Sequence, residues 1–297
     1  MQYQQLGKSN LKTSVIGFGC MSLKPGQADA ERIIHRAIEL GINYFDTADL
    51  YDKGENEILL GRSVRDHRKE VIIATKVGNQ WRPDGSGWEW NPTKKYILKA
   101  ADDSLRRLQT DYIDLYQLHG GTIDDPIDET IEAFEALVQQ GKVRWYGLSS
   151  IRPNVIRNWV EKSSIVSNMM QYSLLDRRAE EIMPLLKENN IAVLARGSLA
   201  QGLLVDKPPK PYAGSDASEA EMAAKAIHQC SGRQRTAAQT ALQFVVSNPA
   251  VASAVVGLRT PEQLEEAIAA TQAPLLNSNE LMHLDRSVDR RFYKEHR

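Results

Sequence analysis

The chain has 297 residues, 42% of them hydrophobic and 25% charged, which is enough apolar material for one large domain or two ordinary ones. Its 37 Lys and Arg nearly balance its 38 Asp and Glu, so we expect neither nucleic acid nor a membrane surface as a partner. The N-terminus has no signal-peptide pattern, no apolar run reaches the roughly 18 residues that cross a bilayer, and two cysteines are too few for a disulfide framework, so we expect a cytoplasmic protein.

Short β-rich runs alternate with longer amphipathic segments along the chain. A turn signal from Gly7 to Asn10 separates two strand-like pieces and predicts a hairpin ahead of the first strand of a sheet. Several of the later runs are continuously apolar, which is typical of strands covered on both faces in a parallel sheet. The eight strand candidates are 14–19, 42–48, 71–77, 112–119, 143–150, 167–173, 191–196 and 253–258.

The segments between these strands carry helical patterns. Gly41 and Gly141 follow apolar stripes and are natural helix-ending residues, while Pro153 suits a first helical turn. The predicted helices are 28–41, 94–108, 128–142, 153–162, 178–189, 217–229, 236–247 and 261–270. We expect the pairs Arg106-Arg107 and Arg177-Arg178 to lie on solvated helix faces.

Eight strands with intervening helices, and no linker wide enough to divide the chain, indicate a single α/β domain over residues 1–297. Two folds fit this alternation of strands and helices, a (β/α)8 TIM barrel and a doubly wound sheet. The strand count and the length favour the barrel. The segment "GFGCMS" also lacks the third glycine that the dinucleotide-binding fingerprint of a doubly wound sheet requires.

Two connections, 78–92 and 201–216, are long enough to be active-site loops. The first holds Trp81, Trp88 and Trp90, which suggests an apolar wall over the site. The alternative is a loop folded on its own aromatic side chains.

Polar side chains stand at the predicted carboxyl ends of three consecutive strand units, where a barrel builds its catalytic face. They are Asp46 and Tyr51, then Lys76, then His119. Each alone has an ordinary explanation, such as a turn cap, a rim aromatic, a solvated lysine or a structural histidine. Four unrelated residues would not be expected to share one rim, so together they predict a functional site. No histidine lies in a zinc-binding spacing and no serine nucleophile elbow is present.

These four side chains could assemble a proton donor. A free phenol is a weak acid with a pKa near ~10, and a neighbouring ammonium favours loss of its proton. Asp46 would keep Lys76 charged, and His119 could hydrogen-bond the same substrate oxygen. Such a site protonates an oxygen while another group supplies electrons at carbon. Because no side chain donates hydride, a cofactor is implied.

The motifs resemble, in order and spacing, the aldo-keto reductase superfamily, and look closest to its bacterial branch of potassium-channel β-subunit-like and inositol-utilisation-type reductases. The resemblance runs from about residue 3 to residue 270 and rests on "FDTADLY", "ATKVG", "LHG", "GLSS", "QYSLLDRR" and "VVGLRTPEQLEEA". It implies a (β/α)8 barrel that binds NADPH or NADP+ across its C-terminal face. It also implies that Asp46, Tyr51, Lys76 and His119 form the catalytic tetrad, with Tyr51 as the general acid.

The resemblance further implies a set of cofactor contacts. Ser149 and Gln171 match positions that hydrogen-bond the nicotinamide carboxamide. The segment "ARGSLAQG" matches the stretch around the nicotinamide ring and the pyrophosphate, and residues after the last strand match the positions around the adenosine and its 2′-phosphate. The full implied set is Cys20, Met21, Asp46, Ser149, Gln171, Arg196, Gly197, Ser198, Leu199, Gly202, Gly257, Arg259, Gln263 and Glu266.

The chain departs from the family pattern at several of these positions. Arg196 stands where many members have a stacking tyrosine. A guanidinium can also stack on a ring, but its charge disfavours the cationic oxidised nicotinamide, so we expect a bias toward the reduced cofactor or an altered affinity. Ser150, Ser198 and Ala267 replace a usual Asn, Pro and Asn. Arg259 is the one evident cation for a 2′-phosphate, which favours NADPH over NADH.

The sequence therefore predicts an NADPH-dependent reductase of aldehydes or activated ketones, acting on a small carbonyl substrate as a monomer. One alternative is a cofactor-sensing binding subunit with slow turnover. Another is a cofactor-free isomerase or aldolase that uses Lys76 as a Schiff base. The second alternative is disfavoured because Asp46 and Tyr51 would keep the amine protonated.

Overall fold

The computed structural model describes all 297 residues and contains twelve strands. Numbered in chain order, they are β1 (Tyr3–Gln5), β2 (Lys12–Ser14), β3 (Ile16–Gly19), β4 (Tyr44–Asp46), β5 (Ile72–Val77), β6 (Asn79–Trp81), β7 (Trp88–Trp90), β8 (Ile113–Leu118), β9 (Val143–Leu148), β10 (Ser167–Gln171), β11 (Ala192–Arg196) and β12 (Val251–Val256). Eight of them pair in parallel and close a barrel in the order β3-β4-β5-β8-β9-β10-β11-β12. The predicted TIM barrel is therefore confirmed.

Ten α-helices accompany the strands. They are α1 (Ala30–Glu39), α2 (Glu55–Val64), α3 (Lys94–Leu108), α4 (Ile127–Gln139), α5 (Pro153–Lys162), α6 (Met183–Glu188), α7 (Ala217–Gln229), α8 (Ala237–Val246), α9 (Pro261–Ala269) and α10 (Ser278–Ser287). Eight of them follow the eight barrel strands in turn, while α7 and α10 are additional and pack against each other. None of the helices combines the length and apolarity needed to cross a bilayer.

Local signals place several of these boundaries. Thr93 caps α3 by accepting a hydrogen bond from the backbone N–H of Tyr96. Gly41 follows α1 with φ +91°, the left-handed conformation that ends a helix at little cost. The predicted helix 178–189 is shorter than expected, because a 3-10 turn precedes α6 and Pro184 occupies its first turn.

The hairpin of β1 and β2 is antiparallel, as predicted, and covers the N-terminal end of the barrel. Leu6 and Leu11 of this hairpin join a small core inside the barrel that includes Leu115, Met169 and Leu194. A larger core lies between the barrel and the helices, where the Phe134 ring packs on Tyr146 at 5.5 Å between centroids. The two cores hold the strands on both faces.

A charged cluster closes the same N-terminal end of the barrel. The guanidinium carbons of Arg68 and Arg144 lie 3.9 and 3.8 Å from the centroid of the Tyr112 ring. Both arginines also pair with the buried carboxylate of Asp114, at 2.7 and 2.9 Å. The cluster fastens the starts of β8 and β9 to the segment that leads into β5, at the end opposite the C-terminal ends of the strands.

Candidate active site

A buried ion pair forms the base of the site at the C-terminal ends of β4 and β5. The Lys76 ammonium donates to Asp46 Oδ1 at 2.6 Å and to the carbonyl oxygen of Thr47 at 2.7 Å. Lys76 and Asp46 are 1% and 4% exposed, so water does not screen the pair. Burial alone disfavours the ammonium, but Asp46 and Tyr51 outweigh burial and raise the pKa of Lys76. Lys76 is therefore cationic at neutral pH.

The same ammonium reaches the phenol of Tyr51, whose Oη lies 3.3 Å from Nζ. Tyr51 stands on a tight turn after β4, in which Asp52 and Lys53 are left-handed and Gly54 has φ +91°. The positive φ of Gly54 favours glycine there, and a Cβ would also lie 2.6 Å from the Arg107 side chain, which would have to shift. The turn brings Tyr51 back over the end of β5, next to Lys76.

Asn56 fastens this turn from behind. Its buried side chain accepts a hydrogen bond from Thr47 Oγ1 at 2.8 Å and donates to the carbonyl oxygen of Cys20 at 2.9 Å. These two bonds connect the loop after β4 with the loop after β3.

His119 completes the group directly after β8. Its ring meets the Tyr51 ring edge-on, with the centroids 5.9 Å apart. Burial, and then the positive charges of Lys76 and Arg196, lower the pKa of His119 to about 3. The imidazole is therefore neutral at physiological pH, and its buried Nδ1 has no hydrogen-bond partner in the protein. A neutral ring of this kind can orient a substrate oxygen without delivering a charge.

The four predicted residues thus converge on one point, as the strand-end pattern indicated. Tyr51 and His119 line a cleft of about 1290 Å³, larger than a small carbonyl compound alone would require. The cleft wall also includes Met21, Ser149, Ser150, Arg152, Arg178 and Arg196, together with the last seven residues, 291–297.

Gln171 and Arg196 face each other at the ends of β10 and β11. Arg196 Nη1 donates to Gln171 Oε1 at 2.9 Å. The Gln171 amide nitrogen in turn donates to Asp176 Oδ2 at 2.8 Å and to the Tyr212 hydroxyl at 3.0 Å. Both N–H groups of the Gln171 amide therefore have partners, whereas Oε1 accepts one hydrogen bond and can accept a second from a ligand.

The predicted pyrophosphate segment follows β11 directly. Gly197 and Gly202 have φ +74° and +92°, and Gly197 packs on the Gln171 side chain. Ser198 Oγ is buried and has no hydrogen-bond partner in the protein. Leu199 lies in the same turn, next to the short 3-10 helix that ends at Gly202. The buried Ser198 hydroxyl is thus unpaired, and glycines with positive φ stand at both ends of this turn.

The predicted adenosine residues lie after β12. Arg259 is exposed and has no acidic partner within 4.0 Å, while its backbone N–H donates to Gln263 Oε1 at 2.9 Å. Glu266 accepts a hydrogen bond from Thr236, across the groove between α8 and α9. Gly257 packs against Ser22 of the loop after β3, where a Cβ would lie 3.1 Å from the Ser22 side chain.

Two expectations about the rim need correction. None of Trp81, Trp88 and Trp90 lines the cleft, because the loop 78–92 folds into the hairpin of β6 and β7. Trp81 donates to the carbonyl oxygen of Leu50, and Trp90 donates to Asp125 while its ring covers Gly78 and Gly120. Trp81 and Trp90 support the loops that carry Tyr51 and His119 from outside the cleft.

The second correction concerns three of the four arginines that we expected on solvated helix faces, since only Arg106 is exposed, at 76%. Arg177 is 5% exposed and pairs with Glu180 and Asp285. Arg178 binds both carboxylate oxygens of Asp176 at 2.8 Å and lines the cleft. Arg107 pairs with the buried Glu57 at 2.6 Å. Each of these three guanidiniums pairs with a carboxylate: Asp176 and Glu57 are buried, whereas Glu180 and Asp285 are partly exposed.

Cys20 was also expected to contact the cofactor, but its side chain is buried away from the cleft. Its thiol is 2% exposed, and burial raises the pKa of that thiol. Its backbone carbonyl accepts from Asn56, so Cys20 belongs to the support of the Tyr51 loop. Met21, the next residue, is 59% exposed and lines the cleft, as predicted.

Comparison with known proteins agrees with this geometry. The sequence profile of the Aldo/keto reductase family matches residues 15–289. An uncharacterized oxidoreductase of Bacillus subtilis, YqkF, is 49% identical over the full length of both chains. L-galactose dehydrogenase of Arabidopsis thaliana is 28% identical and covers 91% of this chain and 88% of its own.

A solved structure is similar over the whole fold. The holo form of aldo-keto reductase AKR11C1 from Bacillus halodurans has a TM-score of 0.94 and 46% sequence identity, covering 100% of this chain and 99% of the other. With the barrel, the cleft and the buried ion pair, these matches show that the chain is an oxidoreductase of the aldo/keto reductase family.

Proposed function

We propose that the protein reduces aldehydes or ketones to alcohols with NADPH, and that Tyr51 is the general acid. The observation that carries this proposal is the contact of the Tyr51 hydroxyl with Lys76 Nζ at 3.3 Å, at the mouth of a cleft that His119 shares. A cation at this position can stabilise the phenolate that forms when the phenol gives its proton to a substrate.

The residues present fit a nicotinamide dinucleotide. The cleft offers the Ser149 side chain for a carboxamide and the guanidinium of Arg196 for a ring face, and Gln171 lies next to Arg196, to which it is hydrogen-bonded. The unpaired hydroxyl of Ser198 suits a phosphate oxygen. When bound, the reduced cofactor would supply the hydride for the carbonyl carbon, which no side chain here can provide.

The side chains of the site would donate the proton and stabilise the charge that develops during the reaction. The Tyr51 O–H donates its proton to the carbonyl oxygen as that oxygen becomes an alkoxide. Lys76 stabilises the phenolate that remains, and Asp46 keeps Lys76 cationic in its buried position. His119, neutral in its buried site, hydrogen-bonds the substrate oxygen and fixes its direction.

The preference for NADPH rests on Arg259. Its guanidinium is exposed and has no acidic partner, so it is free to bind a 2′-phosphate with two parallel hydrogen bonds. Arg259→Gln should weaken NADPH binding and leave NADH binding nearly unchanged.

The test combines binding and turnover. Fluorescence titration of the wild type and Tyr51→Phe with NADPH should give nearly equal Kd values, because the phenol oxygen faces the substrate. Turnover of a reactive aldehyde should fall by roughly 10²–10⁴-fold in the variant, the usual contribution of a positioned acid. Retained turnover in Tyr51→Phe would contradict the role of Tyr51. A wild type that oxidises one equivalent of NADPH and then stops would instead indicate a cofactor-sensing subunit.

A further inference from the structure

The cleft wall carries far more positive than negative side chains. Its charged residues, histidines aside, are Arg152, Arg178, Arg196, Arg291, Lys294, Arg297 and a single acid, Glu295. Three of the cations are neutralised by acids behind the wall, in the pairs Arg178–Asp176, Arg291–Glu219 and Arg297–Glu181. The other three, Arg152, Arg196 and Lys294, have no acidic partner.

Arg152 lies beside the loop that carries His119. Its guanidinium donates to the carbonyl oxygen of Gly121, two residues after His119, and its backbone N–H donates to Ser150 Oγ at 3.3 Å. The side chain is half-buried and lines the cleft. A fixed guanidinium therefore stands on the same cleft wall as Tyr51 and His119.

Lys294 approaches from the C-terminal tail. The carbonyl oxygen of His296 accepts a hydrogen bond from the backbone N–H of Asn154 at 2.9 Å. This bond holds the tail against the start of α5, two residues from Arg152. Lys294 therefore reaches the cleft from the side where Arg152 stands.

The cofactor does not account for these two cations. Arg152 follows β9, whereas Ser198 follows β11 and Arg259 follows β12, which are two and three strands further round the barrel. The proposed phosphate contacts therefore lie away from Arg152. Arg196 is the one unpaired cation placed toward the nicotinamide ring. Arg152 and Lys294 are left for the substrate.

We propose that the natural substrate carries an anionic group, a carboxylate or a phosphate, which Arg152 and Lys294 bind while Tyr51 and His119 contact the carbonyl oxygen. The inference rests on the proposed function, whose substrate class it narrows. A planar guanidinium matches both anions with paired hydrogen bonds, and such charge-assisted bonds are strong in a half-enclosed cleft.

The test compares aldehydes that differ in charge and little else. One pair is 4-oxobutanoate and its methyl ester, and the other is glyceraldehyde 3-phosphate and glyceraldehyde. At low ionic strength, kcat/KM should be at least roughly tenfold higher for the charged member of one pair, because a charge-assisted bond to a guanidinium discriminates by this much or more. Which pair shows the preference identifies the carboxylate or the phosphate.

Variants of Arg152 and Lys294 test whether these two side chains cause the preference for the charged aldehyde. Arg152→Gln should reduce the charged-to-neutral ratio of kcat/KM by about tenfold, and Lys294→Gln should reduce it in the same direction. Arg157→Gln removes the same charge from an exposed position on α5, outside the cleft, and should leave the ratio unchanged. Raising the salt concentration should lower the wild-type ratio, because the screening length shortens.

Three results would overturn the inference. Equal kcat/KM values within both pairs would refute the anionic substrate but would not contradict the proposed reductase activity. An Arg152→Gln variant with a higher NADPH Kd and an unchanged ratio would assign Arg152 to the cofactor. Failure of the wild type to turn over any of the four aldehydes, despite NADPH binding, would refute the proposed function and this inference with it.

Discussion

Lys76 Nζ lies 2.6 Å from Asp46 Oδ1, and both side chains are buried beneath the rim of the barrel. Removing one member of such a pair leaves an uncompensated charge in a dry site, which costs about 3–5 kcal/mol. We therefore expect Lys76→Met to lower the free energy of unfolding by that amount and to abolish turnover. Urea denaturation of the apoprotein measures the first effect.

The double variant Asp46→Asn, Lys76→Met separates stability from chemistry. Because neither charge remains, it should regain most of the lost stability and none of the activity. A double variant whose destabilisation equals the sum of the two single variants would contradict the coupling between these residues.

The depressed pKa of His119 gives stability a defined pH dependence. In the folded chain the pKa is about 3, whereas in the unfolded chain it is near ~6.5. Between these values the unfolded chain binds a proton that the folded chain does not, so the free energy of unfolding falls as the pH falls through this window.

His119→Asn removes this titration. Compared with the variant, the wild type should lose about 1–2 kcal/mol more stability between pH 7 and pH 5. Urea denaturation at the two pH values measures the difference. The His119 ring signals in an NMR titration should stay constant from pH 8 to pH 5, and a midpoint near 6.5 would refute the buried neutral ring.

Arg196 should set the balance between the oxidised and the reduced cofactor. Its charge opposes a cationic nicotinamide ring, so Arg196→Met should strengthen NADP+ binding relative to NADPH by about fivefold, or ~1 kcal/mol. Arg196→Lys keeps the charge and should keep the wild-type ratio of Kd values. Equal changes for both cofactors in Arg196→Met would show that the charge does not act on the ring.

Asp114 should matter for stability and not for catalysis. It pairs with Arg68 and Arg144 at the end of the barrel opposite the cleft. We expect Asp114→Asn to lower the free energy of unfolding by about 2–3 kcal/mol, since both guanidiniums lose a buried partner but stay partly hydrated. Its kcat/KM should equal that of the wild type. Asp103→Asn, which removes an exposed helix pair, should cost at most about 1 kcal/mol.

The barrel was predictable because its strands and most helices carry strong local patterns. Two helices, α2 and α10, were not predicted, because their sequences lack such a pattern. In α2, Asn56, Glu57 and Ser63 are buried, so no clean apolar stripe marks the helix. Gly61 interrupts it because a Cβ there would lie 2.3 Å from the carbonyl oxygen of Leu108. Leu284 is the only buried residue of α10, which starts at an Asn277 capping box.

The site was predictable where a residue stands at a strand end and hidden where it depends on distant contacts. Asp46, Lys76 and His119 follow directly from strand position. Tyr212 contacts Gln171 from a loop 41 residues away, and Arg152 reaches the cleft through a turn after β9. The only local signal for Arg152 was its place soon after a catalytic strand end, which many surface arginines share.

Residues 291–297 border the cleft, whereas Met1 packs beside Gly41 at the other end of the barrel. An affinity tag or a surface linker joined after Arg297 would emerge at the substrate entrance and compete for it. The same attachment at Met1 would leave the entrance clear. A dye placed at the exposed Phe292 should respond to ligand entry through a change in its emission, which offers an optical sensor for screening aldehydes.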